Sequence, residues 1–191
     1  MISYNIEFLS DWHVGSGLSA GAQSDAQVLK DEKMLPYIPG KTIKGLLKDA
    51  LMEMPEKFVN RELINQLLGY EVKDNNGKVI ETRSGILRFS NAELPETERK
   101  EIIPELAGHL YSFQTSTTIT EKGVAKPKSL RTMEVCLPVI LEGSIQCFDE
   151  GSMRDLKSEE RDLLDKAFKW LRRLGVNRNR GLGRCRFTIK D

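Results

Sequence analysis

An α+β fold in the order β-α-β-β-α-β is expected for this chain, and three observations carry that expectation. Its two ends alternate apolar and polar residues, with Ile2, Tyr4, Ile6 and Phe8 in the first segment and Cys185, Phe187 and Ile189 in the last. A period of two marks a half-buried strand. Two other stretches, Ile43 to Met54 and Leu163 to Leu174, repeat apolar residues every three or four positions, as amphipathic helices do. Between them lie strand-like segments around Leu87 and Leu141. Two interleaved βαβ units of this kind make the ferredoxin-like, RRM-like plan shared by RNA-recognition modules.

Each element has its own local reason. Residues 2–9 form the first strand, followed by a loop containing Gly15, Gly17 and Gly21. Met34 to Pro39 is extended, because proline biases the residue before it away from helix. Residues 41–54 form the first helix, on the stripe Ile43, Leu46, Leu47, Ala50, Leu51 and Met54. Asn60 caps a shorter helix that stops at Gly69. Asp74-Asn75-Asn76-Gly77 is a hairpin tip, and Gly85 to Ser90 a short strand. From Gly108 to Ser129 no apolar period appears, and so long a loop in a compact domain points to function. Val135, Leu137, Val139, Leu141, Ile145 and Cys147 mark one or two strands, with a bulge or edge expected at Pro138 and Gly143. Ser158 caps the last helix, Arg172 and Arg173 occupy its final turn, and Gly175 ends it. Trp12, Trp170 and the aromatic residues of the first strand are assigned to the core. With no repeat and no linker, residues 1–191 read as one domain with insertions, the longest at about 108–130.

Composition narrows the class. The 191 residues are 39% hydrophobic and 30% charged, which argues against wholesale disorder. A chain of this length hides roughly 70% of its unfolded surface and needs no staples. No run approaches the ~18 apolar residues of a membrane span. The first residues lack a basic segment leading into an apolar one, so a cytoplasmic protein without a membrane partner is expected. Cys136, Cys147 and Cys185 are odd in number and lack C-x-x-C spacing, against both a disulfide framework and a cysteine zinc site. The net charge of +1 conceals segregation. Residues 166–190 hold nine basic side chains and no acid, leaving −8 for the other 166 residues. Lys122, Lys126, Lys128 and Arg131 form a second basic group. Charge separated in this way suits a polyanion.

Three motifs carry chemistry. In Pro39-Gly40-Lys41-Thr42-Ile43-Lys44-Gly45-Leu46-Leu47-Lys48 a turn opens a helix whose non-core side presents Lys41, Lys44 and Lys48. Free N–H groups and lysines at a helix start suit phosphate. In Arg178-Asn179-Arg180-Gly181-Leu182-Gly183-Arg184, Gly181 and Gly183 admit close backbone approach while the arginines offer forked donors to phosphate. The spacing and lysine of a nucleotide P-loop are missing, so no nucleotide cofactor is expected. The third motif, Trp12-His13-Val14-Gly15-Ser16-Gly17 followed by Asp25, lies on the segment after the first strand.

Taken in order, these motifs resemble the RAMP superfamily, specifically the small backbone subunits of type III CRISPR effector complexes. The resemblance spans nearly the whole chain: His13 to Gly17, Asp25, Tyr37 to Gly40 with the lysine helix, Leu87 to Ala92, Ser129 to Glu134, and Arg180 to Arg184. It implies a subunit that stacks head to tail with copies of itself and with other effector subunits along a CRISPR guide RNA. The lysine helix and the glycine-rich loop would hold guide backbone, with His13, Ser16, Arg131, Arg178, Arg180 and Arg184 as further RNA contacts. Residues 108–129 would be a thumb that displaces a base pair. Asp25 occupies the place of an aspartate that cleaves complementary target RNA. Lys41 stands where serine is usual, Asn91 where aspartate is common, and Asn177 to Asn179 replace loop glycines.

RNA carries its own nucleophile, the 2′-hydroxyl, so cleavage needs alignment, charge stabilisation and proton transfer. A lone carboxylate can orient that hydroxyl or hold a divalent ion such as Mg²⁺, which makes Asp25 the catalytic and metal-ligand candidate. Asp31, the nearest other acid, reads as an ordinary loop residue. Two other functions compete with this one. A non-enzymatic RNA-binding scaffold needs the same basic surfaces but not Asp25, and a precursor-processing endonuclease would act through His13.

Overall fold

The computed structural model describes residues 1–17 and 25–190, so Gly21 of the first loop lies outside the described residues. In chain order the elements are β1 (Ile2–Phe8), β2 (Tyr37–Ile38), α1 (Gly40–Glu53), α2 (Arg61–Leu68), β3 (Gly69–Lys73), β4 (Val79–Ser84), β5 (Leu87–Phe89) and β6 (Ala92–Glu93). They continue with α3 (Glu96–Glu101), α4 (Pro104–Ala107), β7 (Tyr111–Ser116), β8 (Arg131–Cys136), β9 (Ile140–Asp149), β10 (Ser152–Arg154), α5 (Ser158–Trp170) and β11 (Cys185–Lys190).

The central sheet runs β11-β1-β9-β5, every neighbour antiparallel. With α1 and α5 as the crossovers, this is the ferredoxin-like arrangement that the periodicity predicts. Tyr4, Ile6, Phe8, Leu141, Ile145, Cys147, Cys185 and Phe187 of the sheet join Ile43, Leu47 and Leu51 of α1 and Leu163, Leu164, Ala167 and Phe168 of α5 in one core. Asn60 caps α2 by accepting from the N–H groups of Glu62 and Leu63. The hairpin β3–β4 turns at Asp74 to Gly77.

Several expectations are corrected. Gly143 marks neither a bulge nor an edge, since it lies inside the continuous strand β9 directly opposite Tyr4. A side chain there would meet the Tyr4 hydroxyl at 2.4 Å, so the glycine makes room for a buried ring. Only Pro138 divides the apolar run, between β8 and β9. The long segment beginning at Gly108 is not an irregular loop. It continues into β7, which pairs with β8 as a two-stranded ribbon whose tip narrows again at Ile119 and Ala125. Phe113, Ile119, Val124 and Leu130 stay exposed on it, so no buried face leaves a period in the sequence.

Ser158 is the first residue of α5 and not its cap. The buried Glu160 carboxylate reaches back to the Lys157 N–H at 2.8 Å and also pairs with Arg154 at 2.7 Å. Arg172 and Arg173 lie beyond the end of α5, because the chain there straightens to pair with residues 183–185 through Leu174 N–H to Gly183 and Cys185 N–H to Arg172. Trp12 is fully buried and stacks on Phe8, whereas Trp170 is 52% exposed and outside the core.

The Tyr4 hydroxyl is buried with no hydrogen-bond partner among the described residues. A buried unpaired hydroxyl costs about 1–3 kcal/mol. Tyr4→Phe should therefore leave urea stability unchanged or raise it by up to about 1 kcal/mol. Gly143→Ala should lower it by about 1–3 kcal/mol through overpacking. Loss of stability in Tyr4→Phe would show that the hydroxyl is satisfied.

Candidate nucleic-acid interface

The glycine-rich loop sits on the segment that leaves β1. Gly183 N–H donates to Asp11 at 2.8 Å, Val176 N–H to His13 at 2.9 Å, and Arg184 N–H to the Ser10 hydroxyl at 3.0 Å. Gly183 has φ +67°, and a Cβ there would stand 1.9 Å from the Leu174 carbonyl oxygen, so the backbones touch. Gly181 also has a positive φ, +96°, but faces open space. Asn177 takes a left-handed conformation at φ 56°, which asparagine tolerates better than most residues, and so fills a place where glycine is usual. The loop is thus rigid at one end and leaves Arg178, Arg180 and Arg184 exposed. Lys169, Arg172, Arg173, Arg184 and Arg186 line a groove between α5 and the outer edge of β11, with no acid on its walls. Lys169, Arg172, Arg173 and Arg186 were legible only as charge in the sequence.

The lysines of α1 lie elsewhere. Lys44 reaches the Leu87 carbonyl of β5 at 3.5 Å, at the far side of the sheet from β11. Burial, then the neighbouring Arg88 and Lys48 cations, hold the Lys44 pKa below the usual lysine value. Such crowding of like charge favours an anion beside it. Lys41 is exposed and Lys48 half-buried. The structure does not join these lysines to the glycine-rich loop. The loop's Arg178 and Asn179 instead face the second half of α1, at Asp49 and Glu53. The α1 start owes its position to Asn91, whose side-chain oxygen accepts the Gly40 N–H at 3.1 Å. That bond calls for a side-chain oxygen at this place, and an aspartate would supply it equally well.

Asp25 is exposed at the tip-side end of the β7–β8 ladder, next to the Thr115–Thr132 pair, where its N–H donates to the Thr132 carbonyl and its Oδ2 accepts the Thr132 N–H, both at 2.8 Å. Arg131, the first residue of β8, is exposed beside Thr132. Ser16 lies on the opposite limb of the same excursion, its N–H donating to Gln27 at 3.0 Å. His13 is 2% exposed, and its Nδ1 lies 2.7 Å from the Glu134 carbonyl oxygen. It packs beneath the segment and does not open to solvent. Asp31 accepts the N–H groups of Lys33 and Leu35 and pairs with Arg99 at 2.9 Å, as a turn-forming loop acid does. Among the described residues no group of three metal-ligating side chains gathers. One carboxylate fits only an ion that takes its remaining ligands from water and substrate, as Mg²⁺ does.

A model of the RAMP superfamily matches residues 5–186. The chain belongs to that superfamily. Chains of known structure share its fold. A chain of the type III-B Cmr-beta bound to cognate target RNA is similar over 98% of this chain and 96% of its own, with TM-score 0.70 and 13% identity. A chain of the apo state of the type III-B Cmr-beta covers the same shares, with TM-score 0.66 and 14% identity. At such identities the likeness is one of fold. No curated protein matches the chain. No helix among the described residues is long and apolar enough to cross a membrane.

The two loop glycines should respond differently to substitution. Gly183→Ala meets backbone and should cost several kcal/mol or prevent folding, whereas Gly181→Ala should cost only the strain of a left-handed residue, about 1 kcal/mol. Thermal unfolding of the two variants checks this ordering. Equal losses would mean that the loop does not lean on Leu174.

Proposed function

We propose that this RAMP-superfamily chain is a guide-RNA-binding subunit of a type III CRISPR effector complex, stacked head to tail with copies of itself and other subunits. We propose further that it cuts complementary target RNA with Asp25. The observation that carries the second part is the pair of hydrogen bonds that sets the exposed Asp25 carboxylate against the tip-side end of the thumb's β7–β8 ladder. Cationic surfaces at both edges of the sheet support the first part, as does the fold likeness to a type III-B Cmr-beta chain recorded with cognate target RNA.

In this reading Lys41, Lys44, Lys48, Arg178, Arg180 and Arg184 neutralise phosphates and hold the guide backbone. The second oxygen of Asp25 faces the substrate, orients the 2′-hydroxyl and draws off its proton. The 2′-oxygen then attacks phosphorus, the bond to the 5′-oxygen breaks, and that oxygen takes a proton. The products end in 2′,3′-cyclic phosphate and 5′-hydroxyl. A divalent ion held by Asp25 would supply charge stabilisation at the phosphate. His13, buried and engaged through Nδ1, is poorly placed for the proton transfers of a processing ribonuclease.

Asp25→Asn keeps an acceptor for the Thr132 N–H while removing the charge. It should slow cleavage of labelled complementary RNA by roughly 10²-fold or more, with guide and target binding unchanged. Cleavage at the wild-type rate would leave the scaffold function. RNA affinity should fall steeply with salt, and removing each phosphate-binding cation should reduce the logarithmic slope by about 0.7. Bound phosphate would hold the proton on Lys44, so affinity should also decline as pH rises through that residue's lowered pKa. In Lys44→Met the alkaline decline should disappear.

A further inference from the structure

Glu134 is an acid in the apolar end of β8, followed by the buried Val135 and Cys136, and it is 6% exposed. Its carboxylate has two partners. Oε1 receives the Lys30 ammonium at 2.7 Å, and Oε2 receives the Val28 N–H at 3.0 Å. Its backbone N–H donates to Ala26 at 3.0 Å. The segment bearing Asp25 therefore runs beside β8 on a short parallel ladder, with Asp25 and Thr132, Ala26 and Met133, then Ala26 and Glu134 in contact. Beyond Ala26 the next N–H facing β8 is that of Val28, and it meets no main-chain carbonyl of β8, while on the other edge of the segment Gln27 and Leu29 bond to Ser16 and Val14. The Glu134 side chain supplies the next rung in place of a main-chain carbonyl. Lys30 extends the tie to the other thumb strand, its ammonium lying 4.0 Å from the centroid of the Tyr111 ring on β7. The Tyr111 hydroxyl in turn donates to the Met34 carbonyl at 2.7 Å.

A ladder of so few rungs specifies register weakly. A buried ion pair is also no better for stability than well-packed apolar residues of similar volume, and its best-attested use is to fix register. We infer that Glu134 and Lys30 are positioning residues, which hold the Asp25 segment in one register against the thumb ribbon and so fix where target RNA is cut relative to the thumb. This rests on the reading that Asp25 cuts.

The test uses the guide-loaded assembly containing the full chain, with end-labelled complementary RNA and Mg²⁺, and reads both single-turnover rate and product length. Lys30→Met and Glu134→Gln should each slow cutting about 10-fold and spread the cut to adjacent phosphodiester bonds, with guide and target affinity unchanged. The double variant should be no worse than either single one, and Lys30→Arg should restore rate and a single cut position. Lys30 lies at the rim of the site, so Lys30→Met carries the test if Glu134→Gln fails to fold. Unchanged rate and cut position in Lys30→Met would overturn the inference. Slower cutting at unchanged positions would also overturn it, marking the pair as merely structural. Asp25→Asn separates the two levels. If it cuts like wild type, the reading beneath fails and the inference falls with it. If it is inactive while Lys30→Met cuts normally, only the coupling fails.

Discussion

Much of the molecule's working surface depends on where one short strand, β8, finds its partners. On one side it pairs with β7 to make the ribbon, and on the other it receives the segment after β1 through Thr132 and Glu134. The Glu134 carbonyl lies 2.7 Å from the His13 ring, and the His13 carbonyl accepts the Val176 N–H at the start of the glycine-rich loop. Thumb, Asp25 segment and glycine-rich loop are thus three excursions from the ferredoxin-like core, joined through one buried carboxylate and one buried imidazole. None has enough apolar surface to order itself alone. At the buried Glu134 and His13 that join them, an unmade bond is expensive and the arrangement is correspondingly specific.

The charge is arranged with the same economy. Cations gather at opposite edges of the central sheet, beside β5 through Lys44, Lys48 and Arg88, and beside β11 through Lys169, Arg172, Arg173, Arg184 and Arg186. Arg173 and Arg184 even face one another across a two-residue bridge. Directly opposed like charges are destabilising in a sheet. Basic residues also protect an open edge such as that of β11 from pairing with other strands. A polyanion running past the subunit relieves the repulsion without removing that protection. Lys44 turns toward β5 while the glycine-rich loop meets α1 at Asp49 and Glu53, so the two are better described as successive contacts than as one pocket.

The four core strands and two crossover helices were legible because each buries one face, and burial on one face writes a period into the sequence. Asn60 and the Asp74 to Gly77 turn were legible because their local chemistry admits few alternatives. The ribbon was not, because β7 and the tip bury little and leave no period. Gly143 misled for a different reason: glycine inside an apolar run signals a bulge unless a bulky residue opposite needs the space, and Tyr4 lies 139 positions away from Gly143 in sequence. Of the candidate site, Asp25 and the loop arginines were found as motif residues, and the structure brings Asp25 together with Arg131 and Thr132. Glu134 was visible only as the last letter of a motif. Its partners Val28 and Lys30 lie more than a hundred residues earlier, and no local pattern announces them.

The account stands on the thumb stalk and the Asp25 segment forming one mechanical body. Native-state hydrogen exchange of the free protein tests this most directly, through the amides of Asp25, Val28, Thr132 and Glu134. All four should open in a single event with a common free energy, and Lys30→Met should lower all four together. If the Asp25 and Val28 amides exchanged at loop rates while Thr132 and Glu134 stayed protected, the segment would be moving independently of the thumb and the account would be contradicted.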